Sequence, residues 1–187
     1  VNESGPDYCG FIIEFPKSFR SVTAEKVREL VKELSPEIQP VGVFVNASME
    51  LVTGLLNDGT LAAAQLHGQE DETYIRELKQ LSDKPIIKAF SVKTAEDIEK
   101  AVQSPVDYIL LDQGSGGTGK TFDWSLIPEI ERPFFLAGGI GALNMKQAIC
   151  EIRPYAVDLS SSVETEKWKD PEKIRRVVDI VRNAVQD

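Results

Sequence analysis

With 187 residues and a formal charge of −9, the chain has room for one domain with a substantial core and is too acidic for non-specific binding to nucleic acid or to an anionic membrane. No apolar run approaches the roughly 20 residues needed to span a bilayer and no signal-peptide pattern opens the sequence, so a cytoplasmic protein with a small ligand is expected by default. Cys9 and Cys150 lie in apolar stretches without a C-x-x-C spacing, and the single histidine, His67, lacks metal-ligand spacing, so two reduced thiols and no metal are expected.

Runs rich in Val, Ile, Leu and Phe predict strands near residues 7–15, 40–45, 61–66, 85–90, 106–112, 133–137 and 155–160. Amphipathic patterns between them predict helices at about 23–34, 48–57, 71–81, 94–102, 143–152 and 170–186, with a short one from Trp124 to Ile130. Ser48, Thr94 with Asp97, and Asp170 before Pro171 supply N-cap oxygens, whereas Thr23 is followed by Lys26 and has no capping box. Near-continuous apolar strands alternating with helices describe a parallel sheet covered on its outside by helices. The count is seven βα units in one domain, 1–187, for an α/β barrel of the TIM type that normally closes with eight.

In such a barrel the carboxyl ends of the strands form the functional face. Leu110-Leu111-Asp112-Gln113 sets a carboxylate at the end of an apolar strand, immediately before a loop with four glycines, Gly114 to Gly119. Asp112 is therefore the first candidate for chemistry; the alternative is a strand-end aspartate that caps a turn. Phe134-Phe135-Leu136-Ala137-Gly138-Gly139 runs into paired glycines, and the next strand ends in Ser160, Ser161 and Ser162. Glycine backbone, hydroxyls and the following helix suit an anion, so Gly138, Gly139, Ser160 and Ser161 form a candidate phosphate cup. Gln65, His67 and Lys88 end neighbouring strands and are expected to line the same mouth. His67 reads equally well as a loop histidine bonded to backbone. Asp158 reads either as a substrate contact or as an acceptor that orders the serine loop. Trp124 and Phe122 are expected to pack beneath the glycine loop.

The strings Phe15-Pro16-Lys17-Ser18-Phe19-Arg20, Val41-Gly42-Val43-Phe44-Val45-Asn46, Gln65-Leu66-His67-Gly68, the Asp112 run, Leu136-Ala137-Gly138-Gly139 and Val157-Asp158-Leu159-Ser160-Ser161-Ser162-Val163-Glu164 stand in one order at characteristic spacing. Together they resemble the phosphoribosylanthranilate isomerases of tryptophan biosynthesis over nearly the whole chain. The resemblance implies an Amadori rearrangement of N-(5′-phosphoribosyl)anthranilate to 1-(2-carboxyphenylamino)-1-deoxyribulose 5-phosphate. One acid and one base suffice for it, without a cofactor. Asp112 would be the acid, Arg20 would take the anthranilate carboxylate with its planar fork, and Gln65, His67, Lys88 and Asp158 would be substrate contacts. The family has Ser-Ser-Gly where this chain has Ser160-Ser161-Ser162.

The resemblance also implies that the family's first βα unit, which carries the general-base cysteine, is absent here. Cys9 sits at the opposite end of its strand from the functional face, about 20 Å away at the usual rise per residue, and is a poor replacement. A chain lacking that unit would have open barrel edges, through which it could self-associate, and would be weak or inactive alone. Two other readings stay open at this point. One is a phosphosugar isomerase of the histidine-pathway type, expected to show paired aspartates and an internal half-barrel repeat, which is not found. The other is a non-catalytic fragment or paralogue that binds phosphate.

Overall fold

The computed structural model describes residues 1–113 and 123–184, so the glycine loop and Phe122 lie outside the described residues. Seven strands, β1 (Tyr8–Ile12), β2 (Gln39–Phe44), β3 (Ala63–Leu66), β4 (Ile86–Ser91), β5 (Tyr108–Asp112), β6 (Phe134–Leu136) and β7 (Ala156–Val157), pair in chain order, each parallel to the next. Helices α1 (Ala24–Lys32), α2 (Met49–Asn57), α3 (Glu72–Leu81) and α4 (Ala95–Gln103) connect the first five strands. The short α5 (Met145–Gln147), continued by a π-helical turn at Ala148–Ile152, joins β6 to β7, and α6 (Pro171–Ala184) follows.

The helix starts have clear chemical causes. Thr23, Ser48 and Asp71 each accept a hydrogen bond from the backbone N–H three residues on, satisfying a donor that the first turn leaves unpaired. Asp97 reaches back to the backbone N–H of Thr94, and Asp170 accepts from Glu172 and Lys173 behind Pro171. The helix expected from Trp124 to Ile130 is reduced to a 3-10 turn at Trp124–Leu126. Pro128 explains this: it lacks an N–H, and it holds the preceding Ile127 in extended conformation.

The period of two along each strand separates two cores. Val41, Ala63, Ile87, Leu110, Phe135 and Ala137 fill the inside of the curled sheet. Phe44, Leu66, Ile86, Ile109, Leu111 and Leu136 have the opposite parity and pack outward against the helices, among them Leu55, Leu78 and Ile98. The curl brings the first and last strands face to face. Tyr8 and Tyr155 meet hydroxyl to hydroxyl at 3.1 Å, and Arg182 of α6 donates to Asp7 at 2.9 Å. Tyr8, Tyr108, Phe135 and Tyr155 form an aromatic cluster at this amino-terminal end, beside a cavity of about 210 Å³.

The last expected strand is much shorter than its apolar run. β7 stops at Val157, and the serines turn through a 3-10 segment at Ser161–Val163 into an antiparallel hairpin of β8 (Glu164–Thr165) and β9 (Trp168–Lys169). Cys150, expected in apolar surroundings, is exposed on the π-helical turn.

At the carboxyl ends of β2 to β4 one buried charge gathers three segments. The Glu70 carboxylate accepts from the backbone N–H of Asn46 at 2.6 Å and of Gly68 at 2.9 Å, and from Lys88 Nζ at 3.2 Å. Lys88 also donates to the carbonyls of Leu66 and Gly68. Gly68 must be glycine here, because a Cβ would stand 2.7 Å from the Asn46 nitrogen. Both charged side chains are buried, and removing one partner strands the other. Lys88→Met is therefore expected to destabilise the protein by about 3–5 kcal/mol, read from the urea unfolding midpoint.

Candidate active site

Four polar side chains share the inward parity at the carboxyl ends of the strands. Gln65 continues the inward register of Ala63, and His67 lies two residues further on; Asp112 follows Leu110 and Asp158 follows Ala156 in the same way. Gln65 Nε2 lies 3.1 Å from His67 Nδ1. With the amide donating, Nδ1 is the acceptor and the ring proton sits on Nε2, which faces Asp112 Oδ2 at 3.6 Å. Gln65 lies close enough to Asp158 to favour its charged form. Burial pushes the Asp158 carboxyl above the usual carboxylate range and the Asp112 charge adds to this, while His67, Lys169 and Gln65 oppose it. A wall that is otherwise apolar thus ends in a connected layer of two acids, an amide and an imidazole, able to exchange a proton with a ligand above it.

The glycines after β6 adjoin this layer. Gly138 has φ +79°, and a Cβ there would come within 2.6 Å of Asp112 Oδ1 and 2.7 Å of the Gln113 nitrogen. The absence of a side chain at Gly138 is what lets the Asp112 carboxylate occupy its position. Gly139 also has positive φ, and a Cβ on Gly141 would stand 3.2 Å from Ser162 Cβ, so the glycine turn and the serine turn are in contact. Asn144 fixes the turn by accepting from the Gly141 N–H and donating to the Gly139 carbonyl. Among the described residues nothing accepts from the N–H of Gly138 or Gly139. Ser160 and Ser161 are exposed beside them, and Lys169 Nζ is held at the Ser160 carbonyl, 2.9 Å away. Backbone donors, hydroxyls and a cation converge here, as an anion requires.

Across the mouth Arg20 makes a two-pronged ion pair with Glu164, from Nε to Oε1 at 2.7 Å and from Nη2 to Oε2 at 2.6 Å. Lys169 Nζ also reaches Glu164 Oε1, at 2.9 Å. The Arg20 hydrogen bonds, with those of Lys169, hold the Glu164 carboxyl at about 2, well below its usual range. Phe19, largely exposed, lies under the guanidinium at 4.3 Å.

Of the residues singled out from sequence, the structure brings Gln65, His67, Asp112 and Asp158 together in one layer and sets Gly138, Gly139, Ser160 and Ser161 beside it. Lys88 is a correction. It shares the outward parity of Ile86 and gives its ammonium to Glu70 and two carbonyls, so it braces the mouth from behind instead of lining it. Cys9 shares the outward parity of Phe11 near the start of β1, its thiol pushed up by burial. Trp124 packs against the outer core. Sequence reasoning missed Glu70, Glu164 and Lys169; Glu164 closes a recognised string, but its partner lies 144 positions away.

A curled parallel βα sheet whose carboxyl-end mouth joins an acid layer to a turn of backbone donors unpaired among the described residues has the architecture of the TIM-barrel enzymes. Residues 2–180 match the family described as N-(5′phosphoribosyl)anthranilate (PRA) isomerase. The isomerase of Endomicrobium trichonymphae is 43% identical over 190 residues, covering 98% of this chain and 91% of that protein. The crystal structure of phosphoribosyl anthranilate isomerase from Thermotoga maritima superposes with a TM-score of 0.86 at 38% identity, over 97% of this chain and 90% of that one. A further isomerase structure, in complex with reduced 1-(o-carboxyphenylamino)-1-deoxyribulose 5-phosphate, has a TM-score of 0.83 at 36% identity, with the same coverage. The chain belongs to the PRA isomerase family, and its activity is the isomerisation of that name in tryptophan biosynthesis.

Two outcomes follow from this geometry. Gly138→Ala forces a β-carbon into the Asp112 carboxylate at an unfavourable φ and is expected to cost about 1–3 kcal/mol of stability, together with at least about a tenfold loss of turnover; urea unfolding and a fluorescence assay read the two effects. Glu164 titrates near 2 when folded against 4.5 as its ordinary value, so its contribution to stability is fully present above about pH 4.5 and is lost as the pH falls toward 2. The stability difference between the wild type and Glu164→Gln should therefore close across that window.

Proposed function

We propose that Asp112 is the general acid of the Amadori rearrangement and that the substrate lies across the mouth with its phosphate on the Gly138, Gly139, Ser160 and Ser161 side and its anthranilate carboxylate at Arg20. The isomerisation begins with protonation of the furanose oxygen, which opens the ring to an iminium ion. Loss of the C2 proton then gives an enolamine that tautomerises to the ketone. The observation that carries the reading is the position of Asp112. Its carboxylate fits against Gly138 and faces His67 Nε2, in a layer whose other acid, Asp158, is pushed above the usual carboxylate range by burial.

Both ends of the substrate are anionic, and the acidic chain as a whole repels it. Local groups offset that field: backbone N–H groups and Lys169 beside the serine turn, and Arg20 across the mouth. The related isomerase that holds a reduced carboxyphenylamino deoxyribulose phosphate shows a ligand with these same two anionic ends. Asp158 would contact the sugar hydroxyls, and Gln65 with His67 would keep the two acids in register. The position and burial of Cys9 argue against it as the base for the C2 proton. We also propose that any self-association uses the outer edges of β1 and β7, which pair with no other strand among the described residues.

Asp112→Asn removes the transferable proton with little change in shape. It is expected to leave the unfolding transition in place and lower phosphoribosylanthranilate turnover by at least about a hundredfold. Near-normal turnover would exclude Asp112 as the acid.

A further inference from the structure

A guanidinium offers two forked edges, the side edge formed by Nε with one terminal nitrogen and the end edge formed by the two terminal nitrogens. Glu164 occupies the side edge of Arg20, through Nε and Nη2. Among the described residues no acceptor meets Nη1, so the end edge is unoccupied by them. The acid itself is fixed from behind. Its side chain is 7% exposed against 27% for Arg20, Lys169 binds Oε1 at 2.9 Å, and Lys173 donates to its main-chain oxygen at 2.7 Å. Phe19 covers one face of the guanidinium plane. Arg20, Lys169 and Glu164 together carry one net positive charge, which matches one incoming carboxylate.

We propose that Glu164 is a positioning residue for substrate binding: it immobilises Arg20 by the side edge so that the end edge is preset for the aromatic carboxylate. This rests on the assignment of Arg20 to that carboxylate made above. A free arginine would lose the freedom of four side-chain torsions when a ligand binds, whereas a tethered one has lost it on folding, so the tether appears as ligand affinity. Glu164 is not an internal competitor for the substrate, because a competitor would occupy the end edge.

The test uses two stable ligands, reduced 1-(o-carboxyphenylamino)-1-deoxyribulose 5-phosphate and its counterpart without the carboxyl group. Calorimetry on the full chain gives the ratio of their dissociation constants, which reports the value of the carboxylate alone. The wild type should prefer the carboxylated ligand, and Glu164→Gln should lose about five- to tenfold of that preference. An unchanged ratio, or tighter binding of the carboxylated ligand, overturns the proposal. Arg20→Ala separates the two claims. If it keeps the preference, the carboxylate assignment falls and the tether with it; if it abolishes the preference while Glu164→Gln retains it, only the tether falls. Should Glu164→Gln not fold, Glu164→Asp keeps the charge but retracts the fork by one methylene, and an intermediate loss is expected. A wild-type ratio in that variant counts against the tether.

Discussion

The buried pair of Glu70 and Lys88 is the constraint on which the mouth depends. A carboxylate enclosed by protein must be met by donors on every side, and Glu70 meets them in the backbone after β2, the backbone after β3 and the ammonium from β4. Three strand ends are thereby locked to one point. His67 is the neighbour of Gly68 in that knot, so its ring is aimed by a charge pair on the other side of the sheet. From His67 the order passes inward to Gln65, Asp112 and Asp158. The polar layer is braced by support that is ionic and dry, whereas the layer itself can remain polar and open to ligand.

How legible this was depended on which physical signal carried each residue. Alternating strands and helices gave the parallel sheet, since each strand had to be apolar on both faces. That same property concealed the side of the wall on which Lys88 stands: in Ile86-Ile87-Lys88-Ala89-Phe90 both parities are apolar, so position at a strand end could not tell inward from outward. Gln65, Asp112 and Asp158 were identified by the same rule, and they happen to have the inward parity. The hairpin after the serines gave no local cue, because Glu166 and Lys167 adopt positive φ without the glycine or asparagine that usually marks such a turn. The partnership of Arg20 with Glu164 is a product of barrel curl, which no stretch of sequence contains.

The proposed binding mode sets a doubly anionic ligand in an acidic protein. The charges that matter are few and near: Lys169 serves both the serine turn and Glu164. In the proposed binding mode, one side chain thus links the phosphate end to the carboxylate end. Burial of Asp158 favours its neutral form, and a neutral carboxyl opposes the ligand less than a charged one. Electrostatic fit is achieved locally, against the sign of the molecule as a whole.

The placement of the aromatic residues has an optical consequence. Both tryptophans, Trp124 and Trp168, follow strands whose ends make the mouth, whereas Tyr8, Tyr108 and Tyr155 cluster at the opposite end of the barrel. Trp168, largely exposed on the hairpin two residues beyond Glu166, lies on the side of the barrel where an anthranilate ring would bind, and that ring is itself an acceptor of indole emission. Indole quenching would report occupancy of the mouth in the unlabelled chain.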